Sequence, residues 1–184
     1  KRNLKHENES LKVSLLHTNF DARNEDIPDS VSDALVNVAG ESLTLSQSLT
    51  VITTIFPSRV EVLETGWKSA EDSKAFRDKK RAFELLCKLA TEYWSMLASG
   101  RGDVDACTAF GEAYSAKESE TVEHNQRARR LRTFTYKGRK LEMMKHLKIG
   151  VKYSIAETLR IHFEWDAESH MIVIGHCGAH LDQK

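Results

Sequence analysis

The feature that most constrains this chain is a stretch near its C-terminal end in which apolar and polar side chains alternate. Residues 158–165 read TLRIHFEW, and residues 170–176 read HMIVIGH after a short intervening segment. Alternation with a period of two puts every second side chain on the same face of a β-strand. The sequence therefore predicts an antiparallel β-hairpin with one apolar face.

The register of this hairpin decides which side chains share a face. If residues 166–169 form the turn, Trp165 and His170 are the flanking pair. Counting back from that pair sets His176 opposite Leu159 on the apolar face, because facing residues of an antiparallel pair point to the same side. His176 is then expected on the side of the sheet opposite to His162.

Arg160 faces Gly175 in the same register, on the polar side of the hairpin. Because glycine has no side chain, a ligand could reach the guanidinium group above it. Two interpretations stay open: Arg160 binds an anion, or it forms a structural ion pair with an acid from the helical part of the chain.

A more basic hairpin is predicted just before this one. Residues 133–136 and 139–149 have strand character and are separated by Lys137-Gly138, a dipeptide that suits a two-residue type I′ turn. That turn sets Phe134 opposite Leu141. The last part of the chain is therefore expected to be an antiparallel sheet.

Residues 30–115 have helical character. The clearest element is a long core helix over residues 70–99, with Ser69 near its N-cap and Gly100 as its C-terminal stop. Residues 42–56 are rich in Thr, Ile and Val, and periodicity alone does not separate a buried helix from a strand there. We interpret that segment as a helix.

The predicted fold is α+β, in three parts. Leu4, Asn8, Leu11 and Leu15 form a short heptad seam, which predicts a coiled-coil-like helix over residues 1–20 and self-association through residues 4–15. An ordinary amphipathic helix is the alternative. A helical region follows over residues 30–115, and residues 116–184 hold a basic helix and the sheet. The chain begins at Lys1, and we expect further domains of a longer protein before it.

Cysteine usage and hydropathy bear on the compartment. The chain has Cys87, Cys107 and Cys177, an odd number without the spacing of a disulfide framework. No stretch is apolar enough for a membrane span, and the first residues lack the apolar core of a signal peptide. We therefore expect a cytoplasmic protein with reduced thiols and no membrane partner.

Net charge conceals a strong asymmetry. The chain has 27 Lys and Arg against 27 Asp and Glu, yet residues 127–152 hold ten basic residues against the single acid Glu142, a local charge of +9. A basic face can simply be solvated, but it can also bind phosphates. The candidate nucleic-acid-binding residues are Arg129, Arg130, Arg132, Arg139, Lys140, Lys148 and Lys152.

The segment Gly175-His176-Cys177-Gly178-Ala179-His180 has two interpretations. His176, Cys177 and His180 are acceptable zinc ligands, to which His146 or His162 could add a fourth, but a second ligand pair at familiar spacing is missing. Imidazoles also titrate near neutral pH and suit proton transfer in phosphodiester cleavage. The favoured interpretation needs no cofactor, and zinc is the alternative.

The last 80 residues or so resemble the RelE/ParE superfamily of bacterial toxins. A helical pair precedes an antiparallel sheet, and the family's strand pattern matches Leu159-Arg160-Ile161-His162-Phe163 and Ile172-Val173-Ile174-Gly175-His176. The chain departs from the family in its N-terminal extension, its His-Cys-Gly-Ala-His ending and the lack of a tyrosine near the C-terminus.

The resemblance implies a metal-independent endoribonuclease, a toxin or antiviral defence effector that cleaves RNA, in some relatives on the ribosome. It makes Arg160 the phosphate stabiliser, with Lys145 or Lys148 assisting, and His176 or His180 the acid/base group. His146 is a further candidate from the same histidine-rich region. The alternative is a non-catalytic module that binds nucleic acid or a partner protein.

Overall fold

A computed structural model describes residues 29–150 and 154–182 of the chain, with side chains from Asp33 onwards. The chain divides into the units Lys1–Val31 and Ser32–Lys184, and the description below concerns the second. The predicted coiled-coil-like helix and Lys152 lie outside the described residues. None of the helices in the described part is long and apolar enough to cross a membrane.

The helices come mainly from the first two thirds of the described chain. They are α1 (Asp29–Ala39), α2 (Leu45–Ile55), α3 (Glu64–Asp72), α4 (Lys79–Lys88), a π-helical turn (Leu89–Tyr93), α5 (Trp94–Ala98), α6 (Asp103–Ala106), a 3-10 helix (Cys107–Ala113), α7 (Glu120–Glu123) and α8 (Gln126–Leu131).

The strands are β1 (Val60–Val62), β2 (Tyr114–Ser115), β3 (Thr133–Tyr136), β4 (Arg139–Glu142), β5 (His146–Ile149), β6 (Leu159–Asp166) and β7 (Met171–Gly178). Five of them form a sheet in the order β1-β7-β6-β5-β2, and β3 and β4 form a separate two-stranded sheet. The predicted α+β class is confirmed. The larger sheet is mixed, because β1 comes from the helical region and pairs in parallel with β7.

The segment with ambiguous periodicity is a helix, as interpreted from the sequence. Thr44 caps α2 with a capping box, in which its hydroxyl accepts from the amide of Gln47 and the Gln47 side chain accepts from the amide of Thr44. Leu49 and Ile52 of this helix are fully buried. A cap that satisfies two backbone donors outweighs the β-branched composition.

The long helix predicted over residues 70–99 was wrong at its start. The chain breaks after α3 and resumes at α4, where the Asp78 side chain accepts from the amide of Arg81. The helix also widens into the π-helical turn before α5. The predicted stop at Gly100 is confirmed, and this glycine has a φ of +82°.

Three hydroxyl groups, two on α3 and one on the residue that follows it, explain why Ser69 does not start a helix. They lie four residues apart. They form hydrogen bonds with backbone groups at and just after the end of β7, where β1 no longer pairs with that strand. The hydroxyls of Thr65, Ser69 and Ser73 bond, in order, to the Gly175 carbonyl at 2.7 Å, the Cys177 amide at 2.8 Å and the Ala179 amide at 3.0 Å. The helix thereby replaces a strand at that edge.

The basic hairpin has the predicted turn and register. Lys137 and Gly138 both have positive φ, as a type I′ turn requires, and Phe134 pairs with Leu141. It does not continue into β5, which belongs to the larger sheet. Its inner face packs on that sheet, where Phe134, Tyr136, Met143 and Val173 form a small buried core.

The predicted register of the C-terminal hairpin was wrong by two residues near the turn. Trp165 pairs with Ile172 rather than His170. The Asp166 carboxylate accepts from the Ser169 hydroxyl and the Glu168 amide, and this bonding fixes a four-residue turn over residues 167–170, one residue later in the chain than predicted.

A β-bulge then displaces the register once more. Phe163 pairs with Ile174, but its neighbour His162 pairs with His176, so that Gly175 is the extra residue. An extra residue reverses the side to which the following residues point. His176 therefore lies on the face of His162, and its predicted position opposite Leu159 was wrong.

Candidate functional site

The bulge aligns three histidines from three neighbouring strands. His146 of β5 pairs with His162 of β6, which pairs with His176 of β7. The ring centroids of His146 and His162 are 5.0 Å apart, and those of His162 and His176 are 5.7 Å apart. All three side chains are buried. These three imidazoles form one row across neighbouring strands of the sheet.

A buried ion pair lies against this row. Glu118, in the segment between β2 and α7, accepts a hydrogen bond of 2.5 Å from Nε of Arg132, and the two side chains are 7% and 1% exposed. The same Glu118 Oε1 lies 3.7 Å from Nε2 of His162 and 3.9 Å from Nδ1 of His146. One carboxylate oxygen thus accepts a hydrogen bond from a cation and lies within 4 Å of two imidazole rings.

Arg132 also binds the end of the chain. Its guanidinium group donates to the carbonyl oxygens of Ala128, Asp182 and Leu181, at 2.9, 3.0 and 3.2 Å. A buried guanidinium needs acceptors for its donors, and here backbone carbonyls supply most of them. Arg132 therefore joins the C-terminal segment to the cluster.

His162 has one ring nitrogen that lacks a hydrogen-bond partner in the described part of the chain. Its Nδ1 lies 3.0 Å from the Met143 carbonyl, which can only accept, so Nδ1 carries the proton and Nε2 presents a lone pair. Nε2 is buried, and none of the described residues forms a hydrogen bond with it. An orphaned buried acceptor is rare and calls for an explanation.

Burial keeps these imidazoles neutral. Desolvation lowers the pKa of His176 to about 4 and holds the pKa of His162 far below its ordinary value, where the neighbouring imidazoles add to the effect. The pKa of His146 is lowered by the same burial. Near neutral pH the three imidazoles are therefore uncharged, and each ring keeps one nitrogen with a lone pair.

Comparisons with known proteins assign no family to this chain. No family model, curated protein or solved structure gives a significant match. The resemblance to the RelE/ParE superfamily therefore stays a prediction from the strand pattern.

Arg160 and Lys145, two basic residues predicted for catalysis, form other contacts in the structure. Arg160 pairs with Gly178 and Lys148, not Gly175, and its guanidinium donates to the carbonyls of Leu159, Ile149 and Gly150 at 2.8 to 3.4 Å. Burial lowers its pKa. Lys145 forms an ion pair of 2.5 Å with Glu164.

The predicted zinc ligands of the C-terminal turn do not come together. Cys177 pairs with Ile161, on the side of the sheet opposite to His176, and burial raises the pKa of its thiol to about 12. His180 and His176 each contact a backbone carbonyl through one ring nitrogen, Leu181 at 2.6 Å and Ala179 at 2.8 Å.

Thiol reactivity offers a direct check of this placement. Cys87 and Cys177 are buried, and burial raises the pKa of each to about 12, whereas Cys107 is half-buried. Desolvation and Asp103 raise the pKa of Cys107 as well, so accessibility distinguishes it from the other two thiols. We therefore expect one thiol per native chain to react with an aromatic disulfide reagent at pH 8 without unfolding, and three after unfolding. Rapid reaction of Cys107→Ser protein would contradict the buried position of Cys87 or of Cys177.

Within the basic segment, the exposed cations of residues 127–150 lie on α8 and on the β3–β4 hairpin. We call Arg127, Arg129, Arg130, Lys137, Arg139 and Lys140 the basic surface; all six are exposed. Arg129 joins the two elements through a bidentate pair with Glu142 at 2.7 and 3.0 Å. Two residues predicted to bind nucleic acid do not belong to this surface, because Lys148 is half-buried and Arg132 is fully buried.

Sequence reasoning missed Glu118 and the structural position of Arg132. Glu118 lies in a short polar segment that has no local pattern. Arg132 was one cation among ten, although it follows Ala128 by one helical turn and so shares that residue's buried side. Helical phase was a signal for Arg132, whereas no local signal existed for Glu118.

Proposed function

We propose that this protein is a nucleic-acid-binding module that contacts the phosphate backbone through its basic surface. The observation that carries the proposal is the clustering of six exposed cations on two consecutive elements, α8 and the β3–β4 hairpin. Phosphate contacts need cations that can approach a polyanion without breaking buried interactions.

The ion pairs on this surface leave part of its charge available. Glu142 pairs with Arg129, Asp166 with Lys137 and, at 3.6 Å, Glu168 with Arg139. Among the described residues, Arg127, Arg130 and Lys140 form no ion pair. Exposed ion pairs are weak and a phosphate can displace them.

The geometry favours binding over cleavage. The predicted catalytic histidines His146 and His176 are buried, and Arg160 is occupied by three backbone carbonyls. Phe134 and Tyr136, which alternate with the cations in sequence, are buried under the hairpin and cannot stack on bases. This pattern supports contacts to phosphates rather than to a reacting centre or to bases.

A salt titration tests the proposal. We expect the full chain to bind a 30-nucleotide single-stranded RNA with an affinity that falls steeply with salt, and the variant Arg127→Ala/Arg130→Ala/Lys140→Ala to bind less tightly. Losing three phosphate contacts should reduce the slope of log K against log salt by about 2, which corresponds to about 100-fold weaker binding at 0.1 M salt. Fluorescence anisotropy measures both quantities.

The matched control removes the same charge elsewhere. Lys68, Lys74 and Arg101 are exposed on α3, after α3 and after α5, and their triple alanine variant should keep the parental slope. Equal losses in the two variants would contradict the proposal, since they would indicate an effect of net charge alone. A duplex DNA arm distinguishes RNA from DNA, and RNA fragments in the parental reaction would instead support the endoribonuclease implied by the RelE-like pattern.

A further inference from the structure

We propose that Glu118, His146 and His162 bind one divalent transition-metal ion, which we expect to be Zn²⁺. One carboxylate oxygen of Glu118 and one ring nitrogen of each histidine lie within 4.8 Å of one another. Among the described residues this is the one group of three or more metal-ligating side chains at such distances. The site is separate from the basic surface and does not depend on nucleic-acid binding.

The orphaned nitrogen of His162 is the independent observation that points to a ligand. Its Nε2 is buried, has no hydrogen-bond partner among residues 29–150 and 154–182, and lies 3.7 Å from Glu118 Oε1. No residue in the described part of the chain donates to this lone pair, and burial in the absence of a donor is costly. A metal ion accepts such a lone pair, so that binding would satisfy the nitrogen.

Backbone carbonyls set the tautomer of both rings. His162 donates from Nδ1 to the Met143 carbonyl at 3.0 Å, and His146 contacts the Met144 carbonyl through Nδ1 at 3.1 Å. Ligating histidines usually donate their other N–H to a carbonyl or carboxylate, which fixes the tautomer. Two consecutive carbonyls of the chain thus take the Nδ1 protons, so each ring would bind the ion through Nε2, and the Nδ1 of His146 that lies 3.9 Å from Glu118 Oε1 is not its ligand atom.

Arg132 fits this site as the partner of the ligating carboxylate. It holds Glu118 through a 2.5 Å hydrogen bond and is itself held by carbonyls of the C-terminal segment. Carboxylates that bind metals are commonly hydrogen-bonded to a second residue in this way. Metal–ligand bonds of about 2.0 to 2.2 Å would draw the three side chains slightly closer together.

Two imidazoles and one carboxylate define the class of ion. Nitrogen ligands favour zinc and its first-row neighbours over Mg²⁺ and Ca²⁺, which prefer oxygen. Three protein ligands leave a fourth position of a tetrahedral zinc site for water. Because the ligands come from β5, β6 and the segment before α7, the ion would join the sheet to that segment.

The test uses full-length, tag-free protein stripped with a chelator and then dialysed against Zn²⁺. We expect one equivalent of retained zinc by elemental analysis. At 100 times the dissociation constant, the midpoint of thermal unfolding should rise by about 5 to 10 °C. Absence of retained zinc would overturn the proposal.

Variants assign the ion to its ligands. His146→Gln and Glu118→Gln should each lose the retained zinc and the thermal shift, whereas the exposed His124→Gln should keep both. Retention by His146→Gln and Glu118→Gln would overturn the proposal.

Cobalt substitution of the parent protein gives an answer even if those variants fail to fold. Co²⁺ should give a visible spectrum of nitrogen and oxygen ligation. A thiolate-to-cobalt charge-transfer band would overturn the proposal, because it would put the ion on a cysteine such as Cys107.

Discussion

Replacing Arg132 with methionine is expected to lower the free energy of unfolding by about 3 to 5 kcal/mol, because removing one partner of a buried ion pair leaves the other charge uncompensated. The Glu118 side chain is 7% exposed and cannot turn to water without opening the cluster. The two C-terminal carbonyls that Arg132 binds would lose their donor as well. Urea denaturation of the purified variant measures the change.

Two further variants separate the ion pair from simple packing. Arg132→Met/Glu118→Gln should recover most of the loss, since a neutral amide buried beside methionine carries no net charge. Arg129→Met breaks an exposed pair with Glu142 and should leave the unfolding midpoint almost unchanged. If the double variant is as unstable as Arg132→Met, the loss comes from packing or from the C-terminal carbonyls rather than from the carboxylate.

The sequence was most informative where a local pattern fixes local structure. The Lys137-Gly138 dipeptide predicted both the turn and the pairing of Phe134 with Leu141, because only a few residue pairs adopt positive φ twice in succession. Alternation likewise located both strands of the C-terminal hairpin. In each case the determining residues are neighbours in the chain.

Prediction failed where partners distant in sequence decide the conformation. Ser69 matched a helix N-cap, but its hydroxyl accepts instead from the amide of Cys177. Helix α4 starts at a different cap because α3 is held against β7 by Thr65, Ser69 and Ser73. A capping pattern identifies a side chain that can accept a hydrogen bond, but not which amide donates it.

The candidate site depended on one such nonlocal feature. A regular hairpin puts His162 and His176 on opposite faces, and only the extra residue Gly175 brings them to the same face. The strand pattern does not reveal a bulge, although a glycine inside a strand is a known sign of one. The cluster with Glu118 then follows from tertiary packing, which periodicity does not encode.

Gly175→Val is therefore expected to be the second strongly destabilising change, by about 3 kcal/mol, at the upper end for overpacking a core. A Cβ at this position would lie 2.6 Å from Cδ2 of Phe134 and 2.7 Å from Sδ of Met143. The thioether of Met143 can shift, but the ring of Phe134 is fixed between the hairpin and the sheet. Because the bulge also positions His176, its imidazole resonances should shift in NMR spectra of the folded variant.

Two comparisons test whether that loss of stability comes from the close approach of the β3–β4 hairpin to β7. Gly102→Ala, at a position with no heavy atom within 4 Å of the added Cβ and a φ of −77°, should have little effect. Adding Phe134→Leu to Gly175→Ala should cost less than the sum of the two single changes, because the smaller side chain makes room for the new methyl group. Strictly additive losses would mean that the glycine is needed for the backbone of the bulge itself, and not for the contact between the hairpin and β7.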